Sequence, residues 1–307
     1  MKHIKLMALL LAVGLTACSS DDEVERGLLP EDSSNLKQRP PFSDDLQAQR
    51  LITVEVEETP MTDTSAPKEE KMETRATATT TSTLTAFSMN YQNSVYYFKK
   101  TGTEWSTFNW PVPDNTKIDF YAYTRGTFYY NSGNPYLTFT VAEDAFHQHD
   151  LLVAEHKQIA YNDASGRVSL TFDHACAAVL FNVQITKTLK TKLGGDLTVN
   201  SIELRNVKKS GEYYYGTKSW TMGESSSYYT LTNGNFTVTT DYKPLPCGNL
   251  FMIPHTRAAN GTEGTYLEVK YTTSGAKTAY IPVQINWEAG KLYTISIRLG
   301  TKTILTE

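Results

Sequence analysis

The sequence predicts an all-β protein, and three observations carry that prediction. The 307 residues include 19 Tyr, 12 Phe and 4 Trp beside many Thr, and aromatic and β-branched side chains favour strands. Short apolar or alternating runs recur along the chain, separated by turn signals such as Asn233-Gly234 and Ser274-Gly275. Long amphipathic helical runs do not alternate with them. More than a dozen such strands are too many for one small sandwich, so we expect two β-sandwich domains in tandem.

Composition argues against two classes of function. The net charge is −4 and the sequence pI is near 5.9, so the chain has no basic field that could collect phosphates. Nucleic acid is therefore not an expected partner. Beyond the first 17 residues, no apolar run approaches the roughly 20 residues that a membrane-spanning helix needs.

The N-terminus predicts an exported lipoprotein. Lys2 and Lys5 precede an apolar run over 6–15, and Leu15-Thr16-Ala17-Cys18 closes it as a lipobox does. We expect cleavage after Ala17, which removes residues 1–17 as a signal peptide, and attachment of fatty chains such as palmitate to Cys18. The alternative is an ordinary secretory signal with an incidental cysteine. Acidic residues follow at 21–23, which resembles the export signal of surface lipoproteins, or is a solvated charge run.

The next segments predict a tether, one strand and a loop. Residues 18–50 are polar, acidic and proline-bearing, which is typical of a flexible tether. Residues 51–57 alternate apolar and polar side chains, as a half-buried strand does. Residues 59–83 are rich in Thr, Pro, Lys and Glu, and Arg75 lies in this predicted loop.

The body is predicted to be strands with few helical turns. We expect short helices only near 186–192 or 142–147, and a domain boundary near Ser165, giving domains at 51–165 and 166–307. The predicted strands are 84–91, 94–99, 118–123, 136–141, 151–156, 168–172, 177–185, 197–207, 236–240, 250–253, 266–271, 280–285 and 292–299.

Two groups of residues could suggest chemistry, but neither predicts an enzyme, a cofactor or a metal site. His147, His149 and His156 could share a metal, yet no fourth ligand stands at a suitable spacing, so a structural turn is the better interpretation. His174 and Cys176 could form a nucleophilic pair, yet no oxyanion donors accompany them. Cys176 and Cys247 could be bridged, or they could be two buried thiols.

One aromatic cluster could bind a ligand. Tyr213, Tyr214, Tyr215 and Trp220 lie among glycines, and flat rings of this kind can stack on sugars. The alternative, which we favour, is a long hairpin whose rings cover the second sandwich. The glycan hypothesis leads to a second candidate function, a surface glycan-binding lipoprotein of a polysaccharide-uptake system.

The order of several motifs resembles the fimbrillin family of pilus subunits and accessory proteins, over almost the whole chain from residue 51 onward. The motifs are the lipobox; the early strand before Thr74-Arg75-Ala76; Trp105 and Trp110-Pro111; Ile118-Asp119-Phe120-Tyr121-Ala122-Tyr123; His149-Asp150-Leu151-Leu152-Val153-Ala154; Val168-Ser169-Leu170-Thr171-Phe172-Asp173-His174-Ala175; Phe251-Met252-Ile253-Pro254; and Trp287-Glu288-Ala289-Gly290-Lys291-Leu292-Tyr293.

The resemblance implies two tandem transthyretin-like β-sandwich domains and assembly by donor-strand exchange. It also implies that an arginine-specific protease removes the strand at 51–57 by cutting after Arg75, whereas some relatives act as uncut anchors. The expected partners are other pilin subunits, in a homo- or hetero-polymer, the outer membrane through the lipid on Cys18, and a ligand on a host or bacterial surface. The expected location is the cell surface and the fimbrium. Losing one strand exposes an apolar groove with unpaired backbone groups, which a donated strand can satisfy.

Overall fold

The computed structural model describes residues 51–64, 84–92, 94–131, 133–223, 227–232, 234–257 and 264–305. The predicted signal peptide, the tether, Ala17, Cys18 and Arg75 lie outside these residues. Within them the chain is built of strands with only short helices, so the all-β prediction is confirmed.

Twenty-three strands make up the described chain. In order they are β1 (Leu51–Glu58), β2 (Thr62–Asp63), β3 (Ala86–Tyr91), β4 (Ser94–Thr101), β5 (Glu104–Trp105), β6 (Phe108–Asn109), β7 (Ile118–Tyr123), β8 (Thr127–Asn131), β9 (Asn134–Thr140), β10 (Leu152–Ile159), β11 (Arg167–His174), β12 (Ala177–Ile185), β13 (Leu197–Val207), β14 (Ser210–Tyr214), β15 (Ser219–Met222), β16 (Ser227–Thr230), β17 (Phe236–Val238), β18 (Lys243–Met252), β19 (Thr256–Arg257), β20 (Tyr266–Thr272), β21 (Ala276–Pro282), β22 (Ile285–Asn286) and β23 (Lys291–Leu299).

The helices are short. A 3-10 turn covers Ala145–His147, and α-helices cover Tyr161–Ala164, Lys187–Leu193 and Thr301–Ile304. The longest begins where the Thr186 side chain accepts a hydrogen bond from the Leu189 amide, and it ends at Gly194 in the left-handed region. These are the usual helix start and stop signals. In the described part of the chain, no helix has the length and apolar character needed to cross a membrane.

The first sheet has eight strands in the order β5-β4-β3-β7-β10-β11-β1-β6. The pairing of β10 with β11 is confined to two residue pairs, and the sheet contributes most of the side chains of the first core. That core is rich in aromatic side chains. Its largest fully buried members include Trp110, Phe87, Phe98, Phe120 and Phe172.

The second core lies mainly between two further sheets. One has the order β18-β12-β23-β2, and the other has the order β16-β13-β20-β21 with β17 also paired to β13. Alternate residues of β12 and β13 point into this core, as the period of a strand dictates. β12 and β23 are parallel over eight residue pairs.

A smaller fourth sheet packs beside β7. Its order is β15-β14-β9-β8, and β9 pairs with β14 from Ser210↔Thr140 to Tyr214↔Tyr136. β7 is therefore buried on both faces: Phe120 belongs to the first core, whereas Tyr121 and Tyr123 belong to the second.

The predicted boundary near Ser165 remains a prediction about domains. At that position the turn Ala164-Ser165-Gly166 connects a short helix to β11. β11 is an inner strand of the first sheet, and β12, which starts at Ala177, belongs to a different sheet.

Candidate functional site

The candidate site is the groove that holds β1. β1 runs parallel to β11 from Thr53↔Arg167 to Glu58↔Phe172. On its other side it pairs with β6 at only two positions, Leu51↔Asn109 and Ile52↔Phe108. Among the strands that the structure describes, β1 therefore has neighbours on both sides at its start and on one side only for most of its length. Parallel strands need a long connection, and 108 residues separate β1 from β11 in the chain, 58 to 167.

The inward face of β1 fills the first core. Ile52 is 0% exposed and Val54 is 5% exposed, and Val56 packs against the same cluster. Burial of such a side chain contributes about 1.5 to 3 kcal/mol. Removal of β1 would open a continuous apolar slot beside β11 together with a row of unpaired backbone groups.

The outward face of β1 makes polar contacts with β11. Glu55 accepts a hydrogen bond from Nη1 of Arg167 at 2.7 Å and another from Oγ of Ser169 at 3.2 Å. The two charged side chains are 51% and 66% exposed, so the ion pair contributes little to stability. Thr53 donates its hydroxyl to the Gly166 carbonyl at 3.2 Å.

A cluster of titratable groups closes the far end of the groove. Glu58 has the same strand parity as Ile52, Val54 and Val56, so its carboxylate points inward, and its Oε1 lies 3.6 Å from Nε2 of His174. Nδ1 of His174 makes a short hydrogen bond to Oδ2 of Asp150. All three side chains are mostly buried, with exposures of 16%, 12% and 12%. His174 therefore joins the last residue of β1 to the body of the protein.

Burial and charge act in opposite directions on this cluster. Burial disfavours protonation of His174, but the hydrogen bond and charge of Asp150, with the charge of Glu58, outweigh it and raise the pKa of His174 above its usual value. Burial raises the pKa of Asp150, although the His174 hydrogen bond acts the other way. The arrangement favours a doubly protonated imidazole between two carboxylates.

Beside this cluster, Thr59, the residue after β1, forms two more hydrogen bonds to β11. Its hydroxyl donates to Oδ1 of Asp173 at 2.9 Å, and its amide donates to the Phe172 carbonyl at 2.8 Å. The other oxygen of Asp173 lies 3.1 Å from Nζ of Lys218.

After β1 the chain crosses to the second sandwich. β2 pairs in parallel with the first two residues of β23, and the amides of Thr62 and Thr64 donate to the carbonyls of Gly290 and Leu292, each at 2.8 Å. Within the described residues, no strand pairs with the rest of that edge of β23, residues 293–299. The segment that contains β1 and β2 therefore leads to the part of β23 with which no described strand pairs.

His174 and Cys176 do not form a nucleophilic pair. Asp150 is the partner of His174, and Cys176 is fully buried. Burial, reinforced by the charge of Asp150, raises the pKa of the Cys176 thiol well above its usual value, which opposes formation of the nucleophilic thiolate. Cys176 and Cys247 are separate thiols in the structure, not a disulfide.

The three histidines considered above as metal ligands, His147, His149 and His156, lie in different surroundings. Nδ1 of His147 lies 2.8 Å from Asp144, and Nδ1 of His156 lies 2.8 Å from the Ser169 carbonyl. Burial, with the charges of Arg125 and His147, lowers the pKa of His149. In the ranges that the structure covers, no three His, Cys, Asp or Glu side chains come together as a metal site would require.

The aromatic cluster is mostly core. Tyr213 and Tyr215 are 4% and 2% exposed, Tyr215 donates to the Ala122 carbonyl at 2.9 Å, and Trp220 donates to the Ala175 carbonyl at 2.8 Å. The structure therefore matches the alternative of rings that cover the second core. Only Tyr214 of the four faces outward with much of its ring.

Tyr214 belongs to a row that the sequence did not suggest. Its ring stacks on Tyr136 at a centroid distance of 5.3 Å, and Tyr136 stacks on Tyr129 at 5.1 Å. These residues lie opposite one another on β14, β9 and β8. The rings stack on one another in this row, and Tyr129 remains 43% exposed.

Sequence reasoning located β1 but missed Glu58 and Asp150 as the partners of His174. One signal was present: Glu58 occupies an inward position of an alternating strand, where an apolar residue is expected. A charged residue at such a position needs a buried partner.

Comparisons with known proteins agree with this fold. The family model described as fimbrillin-like matches residues 59–307. A fimbrial protein from Bacteroides vulgatus superposes with a TM-score of 0.54 at 18% identity, covering 81% of this chain and 95% of that one. A protein assigned to cell adhesion from Bacteroides ovatus gives 0.52 at 15% identity, with 84% and 95% covered. No curated protein matches the chain.

Proposed function

Because the chain belongs to the fimbrillin-like family, a family of pilus and adhesin-type surface proteins, we propose that it is a pilus subunit that assembles by donor-strand exchange at β1. The placement of β1 is the observation that carries this proposal. β1 fills an apolar slot, yet no strand of the described chain pairs with most of one of its edges or with residues 293–299 of β23, to which β2 leads. A strand from another subunit could occupy both places in one continuous path.

The proposal includes export and processing. The lipobox before Cys18 supports a lipid anchor in the outer membrane, and the acidic residues that follow support exposure at the cell surface. Arg75 lies between β2 and β3 in the chain, so a cut after it would separate β1 and β2 from the rest. The partners would then be other pilin subunits, with a surface ligand for any adhesive role.

The test is limited cleavage of the lipid-free protein with an arginine-specific protease, followed by mass spectrometry and sizing. An Arg75→Gln variant tests whether Arg75 is the position that is cut. The matched control is Arg50→Gln, which removes the arginine on the other side of β1. We expect loss of residues before 76 and growth of polymers in the native chain but not in Arg75→Gln. A cut chain that keeps β1 and stays monomeric would contradict donor-strand exchange.

A further inference from the structure

The far end of the β1 groove differs chemically from the rest of it. Ile52, Val54 and Val56 place apolar side chains on the inward face of β1, and the next inward position holds the carboxylate of Glu58. Any strand that replaces β1 in the same register must put some side chain at this position. The surroundings of Glu58 therefore restrict which strands fit.

His174 is oriented so that one ring nitrogen faces this position. Nδ1 is held by Asp150, which leaves Nε2 directed at Glu58, 3.6 Å away. The backbone amide of Leu151 and the thiol of Cys176 also interact with Asp150. Asp150 thus acts as a positioning residue that fixes the ring and its protonation.

We propose that this end of the groove selects the strand that fills it, because His174 requires a carboxylate at the position of Glu58. The inference rests on the proposed function, since it names the chemistry of the donated strand. The pattern required is three alternate apolar residues followed, at the next alternate position, by Glu or Asp. An apolar residue there would remove the carboxylate charge that lies 3.6 Å from Nε2 of His174, and a lysine would face a like charge.

The exposed ion pair of Glu55 and Arg167 provides a contrast. It lies on the outward face of the same strand, where both side chains are more than half exposed. Water replaces such a pair at little cost. Selection should therefore depend on the carboxylate at position 58 and hardly at all on the one at position 55.

Selection should also depend on pH, because it requires the imidazolium form of His174. The charged and titratable groups around the ring are Glu58 on β1, Asp150 before β10, Asp173 on β11 with Lys218 from the turn after β14, and Cys176 before β12. Asp173 is paired with Lys218, and the Cys176 thiol stays protonated, so His174 is the group that changes charge near neutral pH. The preference for a carboxylate should weaken as pH rises through the raised pKa of His174.

The experiment uses the full mature chain with a site for a sequence-specific protease placed within residues 65–83 and cut after folding, so that both pieces remain. The N-terminal piece carries a fluorescent label, and unlabelled peptides spanning 51–64 compete with it at pH 6 and pH 9. The peptides are the native sequence, Glu58→Gln and, as the matched control, Glu55→Gln. The three peptides compete for the same protein, so failure of a variant to fold cannot explain a difference between them.

At pH 6 we expect the Glu58→Gln peptide to compete at least about tenfold less well than the native peptide, because it loses the attraction between a carboxylate and the mostly buried imidazolium 3.6 Å away. The Glu55→Gln peptide should stay within about threefold of native, and the Glu58 effect should shrink at pH 9. In a His174→Gln protein the native and Glu58→Gln peptides should compete equally.

Two results would overturn the inference, and they differ in meaning. Equal competition by the native and Glu58→Gln peptides at pH 6 would refute selection by His174 while leaving strand exchange intact. Failure of every peptide, the native one included, to displace β1 would refute both strand exchange and selection.

Discussion

β1 should open as a separate unit, and amide hydrogen exchange can test this with two matched substitutions. Ile52 on β1 and Ile118 on β7 are 0% and 3% exposed and belong to the same core. Replacing a buried Ile by Ala costs about 2 to 5 kcal/mol, which corresponds to a fall in protection of about 30-fold or more. Both variants should therefore lower the protection of amides that exchange only when the first domain unfolds.

The two variants should differ in their effect on β1 itself. If β1 opens while the rest stays folded, Ile118 remains packed in the open state, so Ile118→Ala should leave protection of residues 51–58 unchanged. Ile52→Ala should lower that protection by the full 30-fold or more. Hydrogen exchange measured by mass spectrometry at several time points would distinguish independent opening of β1 from opening by global unfolding. Equal loss of protection in β1 and β7 in the Ile118→Ala variant would show that β1 opens only with global unfolding, and would refute the reasoning.

Three further predictions concern the body of the protein. Because the pKa of His174 is raised in the folded protein, its contribution to the free energy of unfolding is complete below the unfolded pKa of about 6.5 and is lost as pH rises through the folded pKa. Urea unfolding at pH 6 and pH 8.5 should therefore show a decrease in stability that the His174→Gln variant lacks. A native chain that is no less stable at pH 8.5 would contradict this prediction. Thr186→Ala should cost about 1 kcal/mol by removing a helix cap, lowering Tm by about 2 to 4 °C; an unchanged Tm would mean that the cap adds nothing. Tyr215→Phe should cost about 1 kcal/mol, because it removes a buried hydrogen bond to Ala122, whereas Tyr280→Phe, at a ring that is 52% exposed, should leave Tm unchanged; equal effects would refute the distinction.

Local patterns in the sequence were sufficient to predict most of the secondary-structure elements. The alternation at 51–57 predicted β1, whose inward side chains Ile52 and Val54 are buried as the pattern requires. The Thr186 and Gly194 signals mark the ends of the helix at Lys187–Leu193. Each of these features depends on residues that lie within a few positions of one another in the chain, so a local sequence pattern is enough to predict it.

Pairings between distant strands could not be predicted in the same way. No local pattern indicated that β9 pairs with β14 or that β2 pairs with β23, because register between strands depends on the packing of the whole sheet. The same limit applies to the candidate site. Glu58 and His174 are 116 residues apart, and their contact follows only from the parallel register of β1 on β11.

The parallel pairing of β1 with β11 has a mechanical consequence for a filament. A strand held in this register over six residue pairs and pulled along its own axis loads all of its ladder hydrogen bonds at once. A strand pulled sideways from its end would lose them one after another. If subunits are joined by a strand in this groove, tension along the fibre acts in shear, so a joint made of individually weak bonds can resist a load that would peel it apart from the side.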